Sequence, residues 1–149
     1  MADQPERPQL RLLDGGRSAT DPPVALDHLE LPTERSAPRT ARRWAALVAA
    51  RHGITGFENQ TVELLTGELV GLAVLNSAPG TAVRLEVLTT AGVVEVSAHH
   101  APGDAHDPPS PLEAEEWGTA LLRALSTDCG IEESDGGCRT SWFQLAVPG

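Results

Sequence analysis

The chain contains no lysine, and its eleven basic side chains, all arginine, stand against 21 acidic ones in 149 residues. The resulting formal net charge of −10 argues against a protein whose main ligand is nucleic acid, because phosphate backbones require a basic surface. The absence of lysine also removes the side-chain amine that forms Schiff bases or holds a phosphate. We attribute the bias toward arginine, alanine, glycine and proline to a GC-rich genome rather than to chemistry.

Long apolar runs and cysteines are also scarce. No stretch approaches the roughly 20 apolar residues that a membrane-spanning helix needs, and residues 1–8 show no signal-peptide pattern. If the last hairpin turns at 135–136, Cys138 lies opposite Glu133 and Cys129 is far along the ladder, so a disulfide is not expected. We therefore expect a protein of the reducing cytoplasm, without membrane association.

Composition divides the chain into a tail and one domain. Residues 1–23 are polar and rich in proline, glycine, aspartate and arginine, which predicts a flexible N-terminal tail. Residues 24–149 are long enough for a single domain with its own core.

Hydrophobic periodicity and breaker residues predict the element order β-α-α-β-β-α-β-β within this domain. The expected bounds are a strand at 24–31, helices at 36–51 and 59–76, strands at 83–87 and 93–96, a loop at 97–111, a helix from about 110 to 126, and a hairpin turning at 135–137 into a strand at 139–147. This order predicts an α+β fold, a two-layer sandwich with helices on one face of a mixed, mostly antiparallel sheet.

The first predicted helix has two different sides. Its inward side chains are expected to be those at four positions with helical spacing, Ala41, Trp44, Leu47 and Val48. Its other side carries Arg39, Arg42 and Arg43, a compact basic patch on an acidic protein. This patch is either a solvated face or a docking surface for an acidic partner.

The second predicted helix is apolar and yet contains a carboxylate. Apolar residues recur at helical spacing, at 62, 65, 69, 72 and 73, which predicts a buried helix. Glu68 lies among them, and a carboxylate in apolar surroundings needs a compensating partner. The residue one turn later on the same face is Leu72, which offers none.

Four strings in this order resemble the histidine-kinase-like ATPase superfamily (the GHKL or Bergerat fold), most closely its serine-kinase and anti-sigma-factor branch. They are Leu-Glu-Leu-Pro at 29–32, Arg-Thr-Ala-Arg-Arg-Trp at 39–44, Thr-Gly-Glu-Leu-Val at 66–70 and Gly-Gly-Cys-Arg-Thr-Ser-Trp-Phe at 136–143. The similarity covers about residues 24–147. It implies a protein that binds sigma factors or their regulators through the first helix and nearby surface, and that forms homodimers.

The resemblance also places the first motif of an ATP site on the second helix. In this superfamily the N-box presents a glutamate as general base and, four residues later, an asparagine that ligates Mg²⁺, which requires hard oxygen ligands. Glu68 matches the base position, whereas Leu72 replaces the asparagine and cannot ligate magnesium. Asn76 lies a further turn along the helix, about 6 Å away, and is a poor substitute.

The second motif places an aspartate after the middle hairpin, where it accepts a hydrogen bond from the adenine amino group. Ala98 falls at that position and has no acceptor, so adenine specificity should be lost. The nearest acid, Asp104, lies about six residues too late.

The third motif is a Gly-x-Gly-Leu turn whose backbone amides receive phosphates at the start of the last helix. Here the sequence reads Glu116-Trp117-Gly118-Thr119, and a capping box at 110–113 predicts that the helix begins two turns earlier. The amides would then be used within the helix, and Glu113, Glu115 and Glu116 would repel a triphosphate. Trp117 could fill the vacated pocket.

These observations favour a nucleotide-independent regulatory protein, a pseudo-ATPase without catalytic residues or cofactor, that binds a sigma factor or sigma regulator through Arg39, Arg42 and Arg43. One alternative is an active serine kinase with Glu68 as base and Asn76 or Asp104 as a substitute ligand. Another is a module that binds a small ligand or a metal in the remodelled pocket. The cluster of possible metal ligands from 99 to 107, namely His99, His100, Asp104, His106 and Asp107, matches no known spacing and is expected to be a solvated loop.

Overall fold

A computed structural model describes residues 25–103, 112–134 and 136–148, with side chains in the last helix described from Thr119 onward. The predicted tail at 1–23 and most of the predicted loop at 97–111 lie outside these ranges. The described elements follow the predicted order, β-α-α-β-β-α-β-β.

Five strands form a single sheet: β1 (Ala25–Pro32), β2 (Ala82–Thr89), β3 (Val93–His100), β4 (Asp128–Glu133) and β5 (Arg139–Ala146). Their order across the sheet is β1-β2-β3-β5-β4. All four pairings between these described strands are antiparallel, so the sheet is not mixed in this part of the chain. The predicted α+β sandwich with a mostly antiparallel sheet is confirmed.

Three helices pack on one face of this sheet: α1 (Ala37–Arg51), α2 (Gly56–Leu75) and α3 (Leu112–Leu125). A proline in its first turn favours the start of α1, since the missing N–H has no helical partner there. Gly53 ends the turn after α1 with a φ of 85°, a conformation that glycine adopts without strain. The Asn59 amide then bonds the carbonyls of Ala46 and Ile54, at 2.9 and 3.0 Å, and joins α2 to α1.

The core lies between the helices and alternate residues of the strands. Val83, Leu85 and Val87 of β2 point toward the helices, as do Val94, Val96 and Ala98 of β3. The buried side of α1 is lined mainly by small residues, Ala41, Ala45, Val48 and Ala49. These small side chains let α1 approach α2 closely.

The prediction for the buried face of α1 was partly wrong. Ala41 and Val48 are buried as expected, but Trp44 is only half-buried and Leu47 is 67% exposed. The buried stripe is instead rotated toward Ala45 and Ala49. Alanine has weak hydrophobicity, so a pattern based on large side chains does not reveal that these two residues are buried.

Two other predictions near the strand ends were also wrong. β3 continues to His100, so residues 97–100 belong to a strand rather than a loop, and they pair with β5 from Trp142 to Arg139. In the last hairpin, Glu133 lies opposite Arg139 rather than Cys138, whose carbonyl instead accepts the Ser134 N–H at 2.8 Å. The extra residue in the turn shifts the register by one position.

Both cysteines are free thiols, as expected, since Cys129 lies opposite Phe143 in the ladder. None of the described helices is both long enough and apolar enough to cross a membrane.

Candidate functional site

A cavity of about 370 Å³ separates α2 and α3 from one end of the sheet. Leu69, Leu72 and Asn76 line it from α2, and Thr119, Leu122 and Arg123 line it from α3. The sheet contributes residues of β3, β4 and β5, including His100, Ile131, Arg139 and Ser141. The cavity therefore combines leucine walls with a few polar and basic groups.

Glu68 and Leu72 lie one turn apart on α2 but differ in their surroundings. Leu72 packs against the core and lines the cavity. Glu68 does not line the cavity, and it has no hydrogen bond or ion pair with the described part of the chain. The expectation of a buried acid was wrong, because Glu68 is half-buried and its carboxylate needs no protein partner.

Asn76 acts as the C-terminal cap of α2. Its side-chain amide donates to the Leu72 carbonyl at 2.8 Å, and its own backbone carbonyl accepts the Gly103 N–H at 2.7 Å. A β-bridge between Ser77 and Pro102 continues this connection between the end of α2 and the end of β3. The amide nitrogen of Asn76 is thus committed to closing the helix.

Ala98 lies in the middle of β3 rather than in the cavity. It is 0% exposed and pairs with Leu85 of β2 and Ser141 of β5. Its methyl group is part of the hydrophobic core, and it provides no acceptor for a hydrogen bond.

The positions that correspond to the Gly-x-Gly-Leu motif lie within the helical backbone of α3. Glu116 and Gly118 lie inside the helix, which runs from Leu112 to Leu125. Amides within a helix bond carbonyls one turn earlier and do not form an open turn. The side chains of Glu113, Glu115, Glu116 and Trp117, as well as the expected cap at 110–111, lie outside the described residues.

His100, at the end of β3, is the residue in this site that the sequence analysis misplaced. It is 3% exposed, lines the cavity, and neither ring nitrogen has a hydrogen-bond partner in the described ranges. Burial, together with the nearby charges of Arg139 and His99, lowers the pKa of His100 to about 4, and the charge of Glu133 partly opposes this shift. The signal was the alternation of 94, 96 and 98, which continues inward to 100.

The neighbouring His99 points to the opposite face of the sheet. Its ring nitrogens lie 2.8 Å from the Thr140 hydroxyl and 3.1 Å from a Glu86 carboxylate oxygen. The two histidines therefore do not converge on one point. Asp104, His106 and Asp107 lie outside the described residues, and within the ranges that are described no three histidine, cysteine or acidic side chains form a metal site.

Comparison with known proteins identifies the fold. No family model and no curated protein sequence matches the chain. The structure is similar to the crystal structure of the RsbU and RsbW domains of Rv1364c from Mycobacterium tuberculosis, with a TM-score of 0.64 and 18% identity over 84% of this chain. It is also similar to a histidine kinase from Burkholderia phymatum, with a TM-score of 0.50 and 18% identity over 83% of this chain. The chain has the GHKL fold.

The chain spans 34% of the Mycobacterium tuberculosis protein and 72% of the Burkholderia kinase. Within the GHKL fold, the expected N-box helix is α2 and the expected phosphate-binding helix is α3. Among the motif positions whose side chains the structure describes, Leu72 lines the cavity between these helices, whereas Glu68 and Ala98 do not.

The predicted basic patch lies away from this cavity of the GHKL fold, on α1. Arg39, Arg42 and Arg43 are exposed, and the described ranges contain no ion pair with any of them. The stem of Arg42 lies across α2, so that a Cβ placed on Gly67 would be 2.5 Å from Arg42 Cδ. Arg43 lines an open groove between α1 and α2.

Large apolar side chains are exposed in or next to the groove that Arg43 lines. Leu47, one turn after Arg43, is 67% exposed and lines the open groove, and Phe57 at the start of α2 is 71% exposed. Exposed apolar groups beside a cluster of exposed arginines are typical of a surface that binds another protein.

Proposed function

We propose that the chain is a regulatory protein of the GHKL fold that acts by binding another protein and needs no nucleotide. The main support is Leu72, which faces the cavity where a magnesium-binding member of the fold is expected to place an asparagine. A leucine side chain has no oxygen to ligate Mg²⁺, and its apolar surface would make binding of a hydrated cation unfavourable. Glu68 then remains as a relic of the general base.

Two further features support the loss of nucleotide binding. Ala98 is enclosed in the core and offers no acceptor to adenine. The helical backbone at Glu116 and Gly118 provides no open turn for phosphates. Each feature removes a different part of an ATP site, so that restoring one residue would not restore binding.

The proposed partner surface consists of Arg39, Arg42 and Arg43 together with Leu47 and Phe57. Three clustered cations on a protein with a net charge of −10 attract an acidic partner, and the exposed leucine and phenylalanine supply the apolar area that stabilises a complex. The branch that the sequence resembles suggests a sigma factor or a sigma-regulator protein in the cytoplasm. A second copy of the chain would use the same surface if it forms a homodimer.

A second candidate is an ATP-dependent serine kinase with Glu68 as general base, since the GHKL fold also occurs in the histidine kinase. It would require an oxygen ligand for magnesium other than Leu72. Asn76 could offer only its Oδ1, since its Nδ2 donates to the Leu72 carbonyl, and it lies a further turn along α2 from the expected ligand position.

Binding measurements with the sigma factors and sigma-regulator proteins of the source organism test the proposal. We expect one of them to bind the purified full chain without nucleotide, with an affinity that added Mg·ATP does not change. The double variant Arg39→Gln/Arg43→Gln should weaken this binding by at least about tenfold, through lost charge complementarity.

The matched control is Arg84→Gln/Arg123→Gln, which removes two arginines on β2 and α3, outside the proposed surface, and should bind like the unmodified chain. If no candidate partner binds, or if binding requires Mg·ATP, the proposed function is wrong. Equal weakening by both double variants would contradict the assigned surface.

A further inference from the structure

The cavity between α2, α3 and the sheet contains a polar side chain without a partner among the described residues. His100 is almost fully buried and lines the cavity, yet neither ring nitrogen is hydrogen-bonded to any residue that the structure describes. A buried polar atom without a partner destabilises the folded state, because it has given up its bonds to water without replacement. Two such atoms on one side chain at a cavity wall indicate that a ligand completes the site.

The other walls define what kind of molecule fits. Leu69, Leu72 and Leu122 supply apolar surface on the helix side. A flat apolar ring can contact these leucines while one of its substituents reaches His100 from within the cavity. A neutral imidazole has one N–H donor and one acceptor nitrogen, a combination that a hydroxyl group matches because it both donates and accepts.

The charges around the cavity favour a single negative group. Arg139 is paired with Glu133 at 2.8 Å, whereas Arg123 has no ion pair within the described residues. None of the described residues lining the cavity is acidic. One arginine without an ion pair in the described part of the chain fits a monoanion better than a triphosphate.

The size of the cavity also restricts the ligand. A volume of about 370 Å³ lies near the lower end of the roughly 300–1,000 Å³ range of small-molecule sites. It suits a molecule with one ring and two substituents.

We propose that this cavity binds a small aromatic monocarboxylate that carries a hydroxyl group. The ring packs against Leu69, Leu72 and Leu122, the hydroxyl exchanges hydrogen bonds with His100, and the carboxylate pairs with Arg123. This site is separate from the surface of α1 and does not depend on the proposed protein-binding function.

NMR titration of the full chain with 4-hydroxybenzoate tests the site, with benzoate and phenol as the two probes that each lack one polar group. We expect saturable binding of 4-hydroxybenzoate with a Kd below about 1 mM. Benzoate and phenol should each bind about tenfold more weakly, since each loses one polar interaction. The shifted resonances should include those of Leu72, His100 and Leu122.

Variants assign the two polar interactions. His100→Leu should reduce the affinity for 4-hydroxybenzoate to that for benzoate, and its Tm should be unchanged or higher because two unsatisfied nitrogens are removed. Arg123→Gln should reduce the affinity to that for phenol. Arg35→Gln, an exposed arginine away from the cavity, is the matched control and should bind all three probes normally.

Absence of saturable binding up to about 10 mM would overturn the proposal, as would equal affinities of His100→Leu and the unmodified chain for 4-hydroxybenzoate. A Trp117→Ala variant decides whether the chain fills its own cavity. If 4-hydroxybenzoate binds only after this change, the native occupant is the indole ring and the proposal is wrong.

Discussion

The indole ring of Trp142 on β5 packs directly over Gly130 on the neighbouring strand β4. A Cβ placed on Gly130 would lie only 2.7 Å from Cζ2 of Trp142. Trp142 is 1% exposed, yet it alternates with Ser141 and Phe143, which point toward the helices. The ring is therefore buried on the other side of the sheet, and glycine at 130 is needed to make room for it.

Gly130→Ala should lower the free energy of unfolding by about 1–3 kcal/mol, because the added methyl group overlaps a rigid ring on an adjacent strand. Chemical denaturation followed by tryptophan fluorescence measures this change. Gly92→Ala is the control, since a Cβ there meets nothing within 4 Å. Equal stability of the two variants would show that the ring moves freely and that the contact is unimportant.

Gly67→Ala tests the contact between Gly67 on α2 and the side chain of Arg42 on α1, which positions the Arg42 guanidinium. Alanine is favoured over glycine within a helix by about 1 kcal/mol, but the new methyl group would displace the stem of Arg42. We expect a net stabilisation smaller than this amount, together with altered partner binding, measured by thermal unfolding and by affinity.

Gly71→Ala on the same helix is the matched control, because its Cβ would meet only Pro38 Cγ at an ordinary 4.0 Å. This variant should show the full helical gain and normal partner binding. If both glycine variants bind the partner equally well, Arg42 does not depend on its position over Gly67.

His100 should make the protein sensitive to acid. Its pKa is lowered from 6.5 to about 4 in the folded state, so the unfolded chain binds the proton more readily. The associated stability is fully present above pH 6.5 and is lost as the pH falls toward 4, by up to roughly 3 kcal/mol. Denaturation midpoints between pH 7 and 4 measure this loss.

The His100→Leu variant lacks this titration and should lose less stability over the same range. The nearby charges of His99, Glu133 and Arg139 are present in both proteins, so the comparison isolates the imidazole of His100. Parallel pH profiles for the two proteins would mean that His100 is protonated normally in the folded state.

The order of the elements was predictable because β2 and β3 alternate in hydrophobicity and because breaker residues separate the elements, although α2 is apolar on more than one side. The buried face of α1 was harder to predict from hydrophobicity, because Ala45 and Ala49 are buried by close helix packing while the larger Leu47 is exposed. Packing against α2 decides which side of such a helix is covered, and a single sequence does not contain that information.

The candidate site was predictable only in part, because one of its residues is placed by strand pairing that the local sequence does not show. The motif comparison identified Leu72, which lines the cavity, but it treated His100 as part of a solvated loop. Two adjacent histidines before Ala-Pro-Gly have a loop-like composition, whereas pairing with Thr140 and Arg139 extends the strand. Long-range strand pairing thus overrides the local signal and places the two imidazoles on opposite faces.

Calorimetric titration of the full-length chain with Mg·ATP tests the central claim most directly. Leu72 at the expected magnesium position, Ala98 in the core and a continuous α3 backbone predict no saturable binding up to about 1 mM nucleotide. The Leu72→Asn variant should also fail to bind, because the other two parts of the site are still missing. Saturable binding of Mg·ATP to the unmodified chain, above all in the low micromolar range, would contradict the account.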